Sequence, residues 1–218
     1  MKKRNWDAVI FDMDGVLVNS EPHHQVIERG MFEEFGLPIS EEEHRQFLGM
    51  ASDEMWSTLI GKYDMAYTEE ELLDKNNEHI IRYFSDFQNS YIIPGAKDLL
   101  KKLRQHEIPV AVASSSSASV VDHLLEVVGL SEFFEIRVSG QMVEKSKPEP
   151  MIYLYTADLL GVDPASCLVI EDSTNGIKSA KAAGMYCVAY RGVGYGGQDQ
   201  SMADLIISDF DELREKIF

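Results

Sequence analysis

The sequence predicts an α/β protein: a doubly wound parallel sheet with a small all-helical domain inserted after the first strand. Three observations predict it. Short β-rich runs alternate with longer helical patterns over most of the chain. Most of those runs are apolar throughout, the mark of strands buried on both faces. Residues 20–88 break the rhythm, with helical periodicity and almost no strand signal.

Taken in order, Ala8-Val-Ile-Phe11 is the first strand. Helical periodicity then fits 21–35, 41–48, 52–61 and 69–87. The acidic runs Glu41–Glu43 and Glu69–Glu71 follow Ser40 and Thr68. They read as capped helix starts rather than as a metal site. Tyr91-Ile-Ile-Pro-Gly95 marks the return to the α/β pattern, with Pro-Gly punctuating a helix start. Helical patterns near 95–106, 117–129, 149–161 and 173–183 then alternate with strands at 109–113, 134–138, 167–170, 185–189 and 205–207. The strand at 134–138 alternates in polarity; the others are continuous. Gly129, Gly161 and Gly184 each stand where a helix should close. Strand-helix-strand order argues for a parallel sheet with helices on both faces. The expected division is 1–18 with 89–218 as the α/β core, and 19–88 as the helical domain. Entry and exit close together would let the insert hinge.

Composition bounds the function. At 218 residues and 24.6 kDa the chain suits one large domain, or one domain carrying an insert. Hydrophobic residues at 44% and charged residues at 26% suit a folded globular protein. No apolar run approaches the roughly 20 residues that span a bilayer. The opening Met-Lys-Lys-Arg-Asn-Trp leaves too short an apolar stretch before Asp12 for a secretory signal. The net charge of −17 disfavours nucleic acid and anionic membranes as partners. Residues 20–88 hold sixteen acidic and five basic residues, a net −11 of that −17. A small phosphorylated substrate stays open, because one metal ion and one lysine reverse the sign locally. The two cysteines, Cys167 and Cys187, sit in apolar stretches and read as buried small hydrophobes. They exclude a disulfide framework, and no Cys/His cluster has zinc spacing. A reducing, cytoplasmic compartment is expected.

Ligands of open α/β sheets bind at the carboxyl ends of strands. The first strand ends Asp12-Met-Asp14-Gly15, the second in Ser114-Ser115, and the fourth in Glu171-Asp172-Ser173. Lys145-Ser-Lys147-Pro148 precedes the helix after the third. Carboxylates from two adjacent strands offer hard oxygen ligands to Mg²⁺. A carboxylate there can act as a nucleophile, and a second one two residues on as acid and base. Lysine and hydroxyl donors would stabilise a transferring phosphoryl group. Gly15 permits the tight turn. A calcium loop would need an oxygen ligand at position 16 and glycine at 17, where the chain has Val16 and Leu17. No G-x-G-x-x-G follows the first strand, and Gly192–Gly197 comes late and reads as a flexible loop.

Asp12-Met-Asp14-Gly15, the strand-end Ser114, Lys147-Pro148 and Glu171-Asp172 resemble, in that order, the four motifs of the haloacid dehalogenase superfamily. The early helical insert, Asn19-Ser20-Glu21-Pro22 and Glu171-Asp-Ser-Thr-Asn-Gly-Ile177 resemble the β-phosphoglucomutase-like phosphatase group. The resemblance implies a Mg²⁺-dependent phosphatase with a capped core. Asp12 would attack phosphorus and form an aspartyl-phosphate. Asp14 would protonate the leaving oxygen and then activate water. Asp12, the Asp14 backbone carbonyl and Asp172 would hold Mg²⁺, with Glu171 assisting directly or through water. Ser114 and Lys147 would hold phosphoryl oxygens, with Ser115 beside them among the substrate contacts.

The same resemblance leaves a mutase open. Ser20 and His24 match the spacing of a cap hydroxyl and histidine, and Lys75 lies where a cap lysine could meet a second phosphate. Gly49-Met-Ala-Ser52-Asp53 puts Ser52 where those mutases carry an arginine. Losing a bidentate phosphate ligand weakens the case for a bisphosphate intermediate. The expected protein is thus a monomeric phosphatase of a small phosphorylated metabolite, a sugar phosphate foremost. Met55 and Trp56 are expected in the core of the helical insert.

Overall fold

The computed structural model describes residues 6–47, 52–85, 91–192 and 197–217. The chain divides into two compact units, Met1–Ser20 with Phe87–Phe218, and Glu21–Asp86.

The first unit is built on a six-stranded parallel sheet. Its strands are β1 (Ala8–Phe11), β2 (Val110–Ser114), β3 (Ile136–Ser139), β4 (Cys167–Glu171), β5 (Tyr186–Tyr190) and β6 (Leu205–Ile207). They lie in the order β3-β2-β1-β4-β5-β6. The winding therefore runs outward from β1 through β2 to β3, then returns to the other side of β1 for β4. That reversal places the carboxyl ends of β1 and β4 side by side, with Phe11 opposite Ile170. A crevice at such a switch point is where these sheets take ligands.

Both faces of the central strands are covered. All four residues of β1 and all five of β4 are buried. On one face Ile10, Val169 and Cys187 meet Ile152, Tyr153, Ile177 and Ala180. On the other, Phe11 meets Phe134 edge-on, and Tyr190 stacks on Phe210.

The helical unit contains α1 (Glu21–Glu34), α2 (Glu41–His44), α3 (Ser52–Tyr63) and α4 (Glu69–Ser85). The acidic runs are helix starts, as their spacing predicts. The Ser40 hydroxyl accepts the Glu43 amide. Thr68 and Glu71 form a reciprocal capping box, each accepting the other's amide. Met55 and Trp56 are buried in this unit, where Trp56 meets Phe32 and Phe35 edge-on.

The remaining helices belong to the first unit: α5 (Ala96–Gln105), α6 (Ala118–Val127), α7 (Met151–Leu160), α8 (Thr174–Ala182) and α9 (Phe210–Ile217). Gly129, Gly161 and Gly184 all have positive φ, as helix-closing residues should.

Three expectations need correction. The helix expected over 41–48 stops at His44 and tightens into a 3₁₀ turn at Arg45–Phe47. There the buried His44 reaches back to Glu28 at 2.7 Å and packs on Phe32. The third strand starts at Ile136, because Ser131–Phe133 form a 3₁₀ turn. The Arg137 guanidinium holds that turn by donating to the Ser131 and Phe134 carbonyls. The helix α9 is an element the sequence reading does not include, although Phe210, Leu213 and Ile217 follow helical spacing. Gly49–Ala51, the end of the helix expected to reach 87, and 193–196 of the glycine-rich stretch lie outside the described residues. Among the described residues no helix is long and apolar enough to cross a membrane.

Candidate active site

The turn after β1 is wound by one carbonyl. Met13 O accepts the amides of Val16, Leu17 and Val18, while Gly15 N donates to Val18 O. Gly15 takes φ +76° there, and a methyl at its Cα would overlap the Asp172 carboxylate. Only glycine combines that backbone with that approach. Asp12, just before the turn, donates its amide to Ile170 O at 2.9 Å, so it stands beside the end of β4.

Lys147 fills the gap between the two strand ends. Its ammonium donates to Asp12 Oδ1 at 2.5 Å, Glu171 Oε1 at 2.7 Å and the Ala113 carbonyl at 2.9 Å. All three side chains are nearly or wholly out of water. Burial alone would push the lysine pKa down, but Asp12 and Glu171 outweigh it and raise it above the ordinary value. Lys147 is therefore a fixed cation. Burial pushes the Asp12 carboxyl well above the usual carboxylate range, against the pull of Lys147, and Glu171 and Asp14 push the same way.

Glu171 is saturated with donors. Oε1 accepts from Lys147 and from the Tyr153 hydroxyl at 3.0 Å. Oε2 accepts from the Asp172 amide at 2.9 Å and from both the amide and hydroxyl of Ser173 at 3.0 Å. The Ser173 hydroxyl also accepts the Gly176 amide and caps α8.

Asp14 is held by hydroxyls. Ser20 donates to its Oδ1 at 2.5 Å, and Ser116 and Ser114 to its Oδ2 at 3.0 and 3.3 Å. Ser114 also accepts the Ser116 amide.

The structure thus brings together Asp12, Asp14, Ser20, Ser114, Lys147, Glu171 and Asp172. Ser115, by contrast, is exposed and shares a hydrogen bond with Ser146. His24 on α1 and Lys75 on α4 are half-buried in the helical unit. Ser52, expected in place of an arginine, opens α3 as an exposed residue. Sequence reasoning missed Tyr153 and Ser116. Tyr153 is indistinguishable by pattern from the apolar residues around it on α7. Ser116 had a signal, its place in the run Ser114–Ser117, but nothing in the run says which hydroxyl turns toward Asp14.

The carboxylates fit a divalent cation. Asp12, Glu171 and Asp172 each offer an oxygen, all within 4.8 Å of one another. The donors are hard oxygens, which suit Mg²⁺. Lys147 pairs with two of these acidic side chains, Asp12 and Glu171.

A family model described as haloacid dehalogenase-like hydrolase matches residues 9–190. A phosphorylated carbohydrates phosphatase of Thermotoga maritima is 32% identical over 179 residues, 82% of each chain. A β-phosphoglucomutase of Bacillus subtilis is 30% identical over 211 residues, 94% of this chain and 91% of its own. CbbY from Rhodobacter sphaeroides, solved with phosphate, has a TM-score of 0.85 at 26% identity, over 95% of this chain and 96% of that one. With its motifs in order along the matched length, the chain is an enzyme of the haloacid dehalogenase-like hydrolase family.

Proposed function

We propose that this protein is a Mg²⁺-dependent phosphatase that hydrolyses a small phosphorylated metabolite, a sugar phosphate foremost, through an aspartyl-phosphate. The observation that carries the reading is the convergence of Asp12, Asp172 and the Lys147–Glu171 pair where β1 and β4 end together. Relatives named for phosphorylated carbohydrates and for phosphate-bound structures support the substrate class.

In this mechanism a carboxylate oxygen of Asp12 attacks phosphorus, and the bond from phosphorus to the ester oxygen breaks. Asp14 gives its proton to that leaving oxygen. Water then attacks the same phosphorus, Asp14 takes the water's proton, and the bond from Asp12 to phosphorus breaks to release phosphate. Asp12, the Asp14 carbonyl and Asp172 would hold Mg²⁺, which supplies positive charge against the phosphoryl oxygens and the Asp12 carboxylate. Glu171 holds Lys147 in place and would assist the metal directly or through water. Lys147 neutralises phosphoryl charge, and Ser114 donates a hydrogen bond to a phosphoryl oxygen. The hydroxyls of Ser20 and Ser116 aim Asp14. The helical unit, with His24 and Lys75, acts as the cap that selects the leaving group. The protein works as a monomer in a reducing cytoplasm.

The test is phosphate release from a panel of phosphorylated metabolites, with and without Mg²⁺. β-Glucose 1-phosphate belongs in the panel, with glucose 6-phosphate followed in parallel. Mg²⁺-dependent release is expected. Glucose 6-phosphate forming faster than free phosphate would replace this reading with the mutase that the 30% match over 211 residues favours. No release and no isomerisation would overturn both.

A further inference from the structure

The loop that precedes β6 reaches back to the turn that carries Asp172. The Gln200 carboxamide is 2% exposed. Its Nε2 donates to the Asp172 carbonyl at 2.8 Å and to the Tyr190 carbonyl at 3.0 Å. Its Oε1 accepts from Arg191 at 3.3 Å. Two residues earlier, Gln198 Oε1 accepts the Thr174 amide at 2.9 Å, and the Asp199 amide donates to Thr174 Oγ1 at 2.7 Å. Five hydrogen bonds thus stitch residues 198–200 to the chain that follows β4 and to the end of β5.

The direction of a side chain is set by the two peptide planes that flank its Cα. For Asp172 both are tied down: the amide by Glu171 Oε2, the carbonyl by Gln200. The slot for the carboxylate is narrow as well, because the Cα of Gly15 lies where a methyl would overlap it. Freeing the carbonyl would let the peptide turn and swing the carboxylate out of the slot. It would also leave the Asp172 carbonyl and the buried Tyr190 carbonyl without that donor.

Resting on the reading of Asp172 as a ligand, we propose that residues 198–200 form a clasp that sets the affinity of the site for a divalent cation. Gln200 and Gln198 are its positioning residues, and neither touches the metal. Groups behind the ligands of a metal site typically change its affinity about 10–100-fold when removed.

The experiment is Mn²⁺ binding to the full chain without substrate, read by electron paramagnetic resonance, for Gln200→Ala, Gln198→Ala and Asp172→Asn. Thermal melting of each metal-free protein accompanies it. The expected result is a dissociation constant about tenfold or more higher for Gln200→Ala, a smaller rise for Gln198→Ala, and no binding for Asp172→Asn. A glutamine that served the fold alone would lower the melting temperature and leave the dissociation constant of the folded protein unchanged, which overturns the clasp. If Gln200→Ala does not fold, the half-buried Gln198 decides on the same criterion. If Asp172→Asn binds as the parent does, the metal reading itself falls, and the clasp with it.

Discussion

The Tyr153 hydroxyl donates to Glu171 Oε1 over 3.0 Å, while the Lys147 ammonium lies 5.2 Å from the centre of the same phenol ring. One helix residue therefore braces both members of the buried pair. Tyr153→Phe keeps the ring and removes one hydrogen bond to a charged acceptor, about 1.5–3 kcal/mol. The expected outcome is a lower melting temperature and a reduced kcat. An unchanged melting curve would show that the bond contributes nothing to stability.

Gly176 lies against the Glu171 carboxylate so closely that a methyl at its Cα would overlap it. Gly176→Ala favours helix propensity on α8, which argues for stabilisation. Displacing a saturated buried carboxylate costs more, because it takes from Lys147 one of its two carboxylate partners. The variant should melt lower and lose most of its turnover. A gain in stability would refute this account of the packing.

Asp12→Asn removes the proposed nucleophile but leaves Lys147 its bond to Glu171. Turnover should fall about 10⁴-fold or more, the scale of losing a nucleophile. The circular dichroism spectrum should stay that of the parent. Substantial residual phosphate release would remove Asp12 from its role.

Asp14 is aimed by hydroxyls from two separate stretches of chain. Ser116→Ala should lower kcat with less effect on KM, and Ser116→Thr should restore much of the loss. A rise in KM alone would make Ser116 a substrate contact instead.

Both cysteines are buried and free. Burial, with Asp163 and Asp7 adding, pushes the Cys167 thiol up to about 11; burial and Glu171 raise Cys187 as well. Neither forms appreciable thiolate at pH 8. A disulfide reagent should label the native protein only at its rate of opening, and both thiols promptly in denaturant. Fast labelling of the native chain would contradict the burial.

The sheet and the polar strand ends were legible because they depend on local pattern. An apolar run such as Ala8–Phe11 announces a strand, and strand ends announce a site. What could not be read was orientation. Glu171 accepts five donors, one of them from a tyrosine that pattern assigns to the core. Gln200 was invisible for the same reason: it reaches the Asp172 carbonyl from 28 residues on, and no local periodicity encodes that. The third strand began late because an arginine's hydrogen bonds, not the side-chain alternation, decide where its turn ends.

The strand order also sets a timetable for synthesis. The strand at the middle of the sheet is the first to be made, and both its neighbours come much later, β2 at Val110 and β4 at Cys167. At about 5–20 residues per second, an apolar strand waits roughly 5–20 s for its first partner. Its last neighbour brings the other half of the acidic cluster. A nascent chain thus carries Asp12 long before Glu171 and Asp172 are made.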